Sequence, residues 1–213
     1  MNIPQIELPT DTWVKASWDE YIQIIENPQL EKAKGYYFNE RMRIEMPPVG
    51  NDRASDHSIV NHVVHLWAGI KGIDLNGKDN CTYRKTGIRE AQPDGSYYIS
   101  GNAEAIPWGT TIINLDLYPP PTLAIEVANT LLSDDKGEKR LLYEQLGVAE
   151  YWIVDVKNIE IFAFSVANGG NRRITQSQVL LGLEIALLEE ALRRTRQVNH
   201  GRVSAWLLSQ FQQ

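Results

Sequence analysis

Cysteine is almost absent from this chain. Its single thiol, Cys81, cannot close an internal disulfide, which excludes a bridge-stapled secreted scaffold and fits a reducing compartment. No apolar run approaches the ~20 residues that a spanning helix needs, and the opening MNIPQIELPTDTW lacks the basic and apolar regions of a signal peptide. The expectation is a cytoplasmic protein with no membrane role. Several catalytic fingerprints are also missing: there is no P-loop, no dinucleotide-binding glycine pattern, no Gly-x-Ser-x-Gly elbow and no His-Glu-x-x-His pair. His62 and His65 share a helix face, but without a cysteine cluster they do not suggest zinc. Positive charge is in deficit, with 21 Lys and Arg against 27 Asp and Glu. A net charge of −6 is the wrong sign for a protein that blankets nucleic acid with basic surface. It leaves a local basic groove open, because field follows the distribution of charge more than its sum.

What is present suffices for a sizeable core: 213 residues with 43% hydrophobic composition. The expected organisation is a core domain over residues 1–185 and a helical extension over 186–213, packed on the core or on a dimer partner. Helical spacing predicts a helix over 12–25 and a longer one over SDHSIVNHVVHLWAGI. Between them, Tyr36 to Asn39 and Met42 to Met46 suggest a hairpin that ends at Pro47-Pro48. Residues 71–92, rich in Gly, Asn, Asp and Lys, read as loops with one short strand near Cys81 to Tyr83. LAIEVA reads as a strand, a helix follows over 134–146 with Gly147 behind it, and YWIVDV and IEIFAF form two more strands. The unit from 122 to 156 should be a parallel β-helix-β crossover. The fold class is therefore α/β, with a mixed central sheet flanked by helices. The six tryptophans read as core.

The stretch LAIEVANT poses the central chemical question. Leu123, Ala124, Ile125, Val127 and Ala128 make a run suited to a strand covered on both faces, yet Glu126 sits in its middle. A carboxylate there needs hydrogen bonds, a counter-ion or a metal. Asp94, in AQPDGSYYIS, begins another β-segment. On neighbouring strands the two carboxylates would lie about 4.8 Å apart, and they would repel without a cation between them. Magnesium suits such oxygen donors, with the Val127 carbonyl as a third ligand and manganese as a substitute. A lysine beside the metal would position and polarise an attacking water. Lys136 and Lys139 are the candidates. At about 100° per residue, Lys139 lies roughly 20° from Leu146, at the edge of an apolar stripe with Leu141 and Leu142, and Lys136 points a further ~60° towards solvent. Lys139 is preferred. Tyr143, one turn on, would sit above the same region.

QPDGSYYIS, then LAIEVANT, then DDKGEKRLLYEQLGVAEYWIVDV resemble the Uma2 family of restriction-endonuclease-like proteins, within the PD-(D/E)xK nuclease superfamily. The resemblance spans roughly residues 12 to 185. It implies a restriction-endonuclease-like fold, Asp94 and Glu126 as metal ligands, and Lys139 as a displaced catalytic lysine, since Ala128 stands at the usual lysine position. It also brings in Glu45 and His57 as accessory residues. The turn after Glu126-Val127 departs from the usual Ser-Pro at Asn129-Thr130.

The implied function is magnesium-dependent hydrolysis of phosphodiester bonds in DNA. The alternatives are a catalytically silent nucleic-acid-binding or interaction module on the same fold, and a metal-dependent phosphohydrolase with a non-DNA substrate. Cutting both strands of a duplex needs two active sites, which suggests a homodimer. The C-terminal run LRRTRQ either touches a nucleic-acid backbone or belongs to a helix that packs a partner through Leu187, Leu188 and Leu192.

Overall fold

Strand β1 (Val14–Lys15) opens the described chain and is followed by helix α1 (Trp18–Ile25). The computed structural model describes residues 9–46, 50–128 and 132–212. Pro47-Pro48 and Asn129-Thr130 lie outside the described residues. The helix expected over 12–25 is shorter, because Ser17 and Glu20 form a capping box: the Glu20 N–H donates to Ser17 Oγ while the Glu20 carboxylate accepts from the Ser17 N–H. That box fixes the start at Trp18 and leaves Val14 and Lys15 free to pair as a strand. Hairpin β2 (Lys34–Phe38) and β3 (Arg41–Glu45) follows as expected, then the long helix α2 (Asn51–Lys71), ended by Gly72 in the left-handed conformation.

Residues 71–92 hold more strand than their composition suggests: β4 (Leu75–Asp79), β5 (Tyr83–Lys85) and β6 (Arg89–Ala91). Strand β4 is a mostly polar edge strand whose one apolar side chain, Leu75, packs on the core, so its pairing comes from backbone ladder bonds to β7 (Gly95–Ile99) rather than from an apolar pattern. Gly77 lets this strand pass α2, since a Cβ there would meet His65 Nε2 at 2.7 Å. After β8 (Ile113–Asn114) and β9 (Leu123–Ala128) come a short helical turn α3 (Leu132–Asp134), a π-helical turn (Asp135–Lys139) and α4 (Arg140–Leu146). The chain then forms β10 (Glu150–Asp155), β11 (Glu160–Ala167) and β12 (Gly170–Ile174), and closes with α5 (Ile185–Thr195) and α6 (His200–Phe211).

The fold is of the expected α/β class, with mixed sheet flanked by helices, and its strands are divided between two six-stranded sheets. The order is β1-β3-β2-β6-β5-β8 in the first and β12-β11-β10-β9-β7-β4 in the second. β9 and β10 run parallel, as the crossover requires. The second sheet is covered on both faces. Ile125, Val127, Trp152 and Val154 pack with α2, α5 and α6, while Ala124, Tyr151 and Ile153 pack with α4 and the β2 hairpin strand. Alternation along β9 therefore hands its odd positions to one layer and its even positions, Glu126 among them, to the other.

The C-terminal helices join the first of these cores. Leu188 and Leu192 are enclosed within the chain, and Leu187 is packed against the same cluster, so these leucines are not a free surface for a partner. Nor is the LRRTRQ run simply basic surface. Arg196 clamps the fully buried Asp56 of α2 with two nitrogens, each 2.6 Å from a carboxylate oxygen, and Arg193 and Arg194 pair with Glu190. Trp13, Trp67 and Trp152 are core, but Trp108 stands fully exposed between Pro107 and Gly109. Among the described residues no helix is long and apolar enough to cross a membrane.

Candidate active site

Four elements converge on the even face of β9. Hairpin β2–β3 sets Lys34 opposite Glu45 in its register and also presents Tyr36 and Arg43. The corner between β6 and β7, where the chain crosses from one sheet to the other, carries Asp94. Gly95 pairs with Ile125, so Asp94 falls opposite Glu126 one step further along the antiparallel ladder. Asp135, Lys139 and Tyr143 come from the π-turn and α4 above.

Lys139 lies at the centre. It is buried, with Nζ 2.8 Å from Glu45 Oε1, 3.1 Å from Asp135 Oδ1 and 3.6 Å from Glu126 Oε1, and it rests 4.1 Å from the centre of the Tyr36 ring. The regular-helix geometry behind the sequence expectation does not hold here. The helix kinks within residues 135–139, where Gly137 is non-helical at φ −98°, ψ −107°, and Leu141, assigned to the apolar stripe, is 44% exposed. The kink at Gly137 breaks the helical phase, and Asp135 and Lys139, on either side of it, are both buried. Lys136 points elsewhere, with its amine 3.2 Å from the centre of the Phe162 ring.

Burial lowers the affinity of Lys139 for its proton, but Glu126, Asp135 and Glu45 more than offset this and hold it well above its ordinary value. It stays an ammonium. Glu126 accepts from Tyr143 Oη at 2.7 Å and Tyr36 Oη at 3.0 Å. Its carboxyl is pushed up to about 7, chiefly by burial and with help from Asp94 and Asp135, against the pull of Lys139. Asp94 behaves oppositely. Burial alone would raise it, but Lys34, Arg53 and a 2.7 Å hydrogen bond from the Val127 N–H hold it well below the usual carboxylate range.

Arg53, from the first turn of α2, spans two of the oxygens that the sequence suggests as metal ligands. Its Nη2 is 2.8 Å from each Asp94 oxygen and its Nε is 2.7 Å from the Val127 carbonyl. Glu45 is turned inward, between Lys139 and Arg43, and Arg43 also reaches Asp134. His57 is not brought in. It contacts Asn61 and Asp79 and faces the Gly95 side of the sheet, out of phase with Asp94 and Glu126. Asp155 only closes a turn, accepting from the N–H groups of Lys157 and Asn158.

The sequence reading missed Lys34, Tyr36, Arg53 and Asp135. Asp135 had a signal, as an acid four residues before a lysine on a helix; Arg53 had none, since it acts across 41 residues of chain. Among the described residues no group of three or more His, Cys, Asp or Glu side chains is arranged to hold a metal ion.

A family model described as "Putative restriction endonuclease" matches residues 18–201. The chain belongs to the Uma2 family. A crystal structure of a putative nuclease belonging to DUF820, from Anabaena variabilis, is similar to this Uma2 chain with a TM-score of 0.56 at 15% identity, covering 90% of this chain and 98% of that one. At that identity the likeness speaks for the fold. No curated protein matches the chain.

Proposed function

We propose that this Uma2 protein is a magnesium-dependent endonuclease that hydrolyses phosphodiester bonds in DNA. The observation that supports this most is the buried ammonium of Lys139 set among Glu45, Asp135 and Glu126, in the same cluster as Asp94. The donor chemistry fits a hard divalent cation: the carboxylates of Asp94 and Glu126 and the Val127 carbonyl are all oxygen donors, and magnesium commonly uses one or two carboxylates plus substrate phosphate. Manganese would substitute. When bound, the ion would supply Lewis-acid polarisation of the phosphoryl oxygen and lower the pKa of water.

The chain's own residues supply the rest. Lys139, fixed as an ammonium, cannot accept a proton, so its work is to orient water and to offset charge developing on phosphoryl oxygens. Tyr36 and Tyr143 hold Glu126 in one orientation through Oε1. Arg43 holds Glu45, and Glu45 in turn steadies Lys139. Lys34 and Arg53 keep Asp94 ionised and must be displaced from it, at least in part, for the aspartate to bind a metal.

We place the protein in the cytoplasm, in keeping with free Cys81. A homodimer would bring two sites to one duplex, using a surface other than Leu188 and Leu192.

The test is cleavage of plasmid DNA and of single-stranded nucleic acid with magnesium or manganese, by wild type and by Asp94→Ala, Glu126→Ala and Lys139→Ala. Wild type should cut, and each variant should lose at least ~100-fold in rate, the scale of removing one electrostatic transition-state contact. Cleavage surviving all three substitutions would sink the site. An inactive wild type that still binds nucleic acid would point to a silent binding module, and hydrolysis confined to small phosphate esters to a phosphohydrolase.

A further inference from the structure

Two strands away from Glu126, the same face of the sheet carries a row of cations laid on aromatic rings. The register runs from Glu126 on β9 to Ile153 on β10 and Phe162 on β11. Phe162 is therefore about 10 Å from the site, two inter-strand spacings across. Lys136 Nζ sits 3.2 Å from the centre of the Phe162 ring and the Arg173 guanidinium carbon 4.2 Å from it. The neighbouring Phe164 carries Arg140 at 5.3 Å and the same Arg173 at 5.9 Å. Arg173 belongs to the edge strand β12 and is exposed, while the two rings are half-buried.

The charges here are lopsided. Among the described residues Lys136 and Arg140 take part in no ion pair, and Arg173 has only Glu160, at 3.4 Å on a half-exposed carboxylate. Glu160 is thus the one carboxylate among the described residues that pairs directly with any of the three, with Glu144 joined to Arg140 only through Asn171, in a chain whose net charge is −6. Arg140 donates from Nε to the Lys136 carbonyl at 2.9 Å and from Nη1 to Asn171 Oδ1, and Arg173 Nη2 donates to the Ile161 carbonyl at 3.0 Å. The rings and these bonds fix the position of the charge and leave the Lys136 amine and the other guanidinium nitrogens for a ligand. The Lys136 ammonium and the remaining nitrogens of the two guanidiniums are donors suited to anionic oxygens, and arginine matches phosphate.

We infer that Lys136, Arg140 and Arg173, seated on Phe162 and Phe164, bind the sugar–phosphate backbone of a nucleic-acid strand that runs on into the site at Glu126. This rests on the nuclease reading above and adds where the strand lies. With about 3.4 Å of strand per nucleotide, the 10 Å offset corresponds to roughly three nucleotides between the scissile phosphate and the first phosphate held by the row.

The test is fluorescence anisotropy with a labelled single-stranded oligonucleotide and with its duplex, in EDTA so that nothing is cut, across a range of salt concentrations. Wild type should bind with a salt-dependent affinity. In the Lys136→Gln, Arg173→Gln double variant the slope of log affinity against log salt should fall by about 1.4 on the single strand, or about 1.8 on the duplex, the value for two lost phosphate contacts. An unchanged slope in a double variant that melts like wild type overturns the inference. Glu160→Gln leaves the rings and cations intact and covers the case of a misfolded double variant. It should tighten binding several-fold, and unaltered affinity counts against the row. Plasmid cleavage run in parallel separates the two claims. Cutting by wild type with an unchanged slope in the variant overturns the row alone, a reduced slope without any cutting upholds the row and overturns the endonuclease, and a wild type that neither binds nor cuts overturns both.

Discussion

Arg53 holds Asp94 with a single nitrogen: Nη2 lies 2.8 Å from both carboxylate oxygens, while Nε reaches the Val127 carbonyl. One side chain thereby bridges two of the three groups, Asp94 and the Val127 carbonyl, proposed to take a metal. A guanidinium in that place balances the charge of Asp94, and it also competes with any ion that would use the same oxygens.

Removing that competitor should strengthen metal binding. Hydrogen bonds to charged groups contribute about 1.5–3 kcal/mol, and 1.4 kcal/mol is a factor of ten. Arg53→Met is therefore expected to bind manganese roughly tenfold more tightly than wild type. Calorimetric titration checks it; equal or weaker binding would show that Arg53 does not obstruct the site.

Lys139 is the cation of a buried cluster, so its loss should cost stability as well as activity. Lys139→Met leaves Glu126 and Asp135 without their ammonium, and breaking a buried pair this way costs about 3–5 kcal/mol. Urea unfolding should show that loss. Adding Glu126→Gln to Lys139→Met should restore part of the stability and none of the cleavage, giving a coupling energy that two independent sites would lack.

Glu126 sets a pH dependence of stability. Its carboxyl stands at about 7 in the folded chain against an ordinary value of 4.5, so the folded state favours the protonated form. The stability that this provides is complete below about 4.5 and is lost as pH rises through about 7. At 1.36 kcal/mol per unit the loss is on the order of 3 kcal/mol. Glu126→Gln, which stays neutral, should therefore gain on wild type as pH rises from 5 to 8, by roughly 5 °C or more in melting temperature. Parallel melting curves at all pH values would contradict this.

Arg196 should matter for folding and not for nucleic acid. Arg196→Gln strands the buried Asp56 and is expected to destabilise by about 3 kcal/mol. Below its melting temperature the variant should bind oligonucleotides with the salt slope of wild type. A slope reduced by about 0.7 on a single strand would return this arginine to the phosphate contacts.

Much of this architecture was legible in local pattern. The parallel pair around LAIEVA and EYWIVD, the hairpins on either side of them, the long helix α2 and the end of α4 at Gly147 all follow from period, β-branching and turn chemistry. The edge strand β4 was not legible, because its bonds are made by backbone and Leu75 is the one apolar residue in its five. The capping box at Ser17 and Glu20 was legible but overlooked.

The sequence by itself determined that Glu126, in the middle of an apolar strand, needs a partner, because an unpaired carboxylate cannot be buried cheaply. It also narrowed the lysine to the segment after that strand. Only the tertiary structure decided which charges meet there. Lys34, Arg53 and Asp94 come from three separate parts of the chain, and their contacts exist because the β2–β3 hairpin, the corner between the two sheets and the start of α2 converge on one end of β9. Local periodicity carries no record of such an approach. The placing of Lys139 depended on it too, since a helix kinked at Gly137 rather than a regular one brings the ammonium beside Glu126.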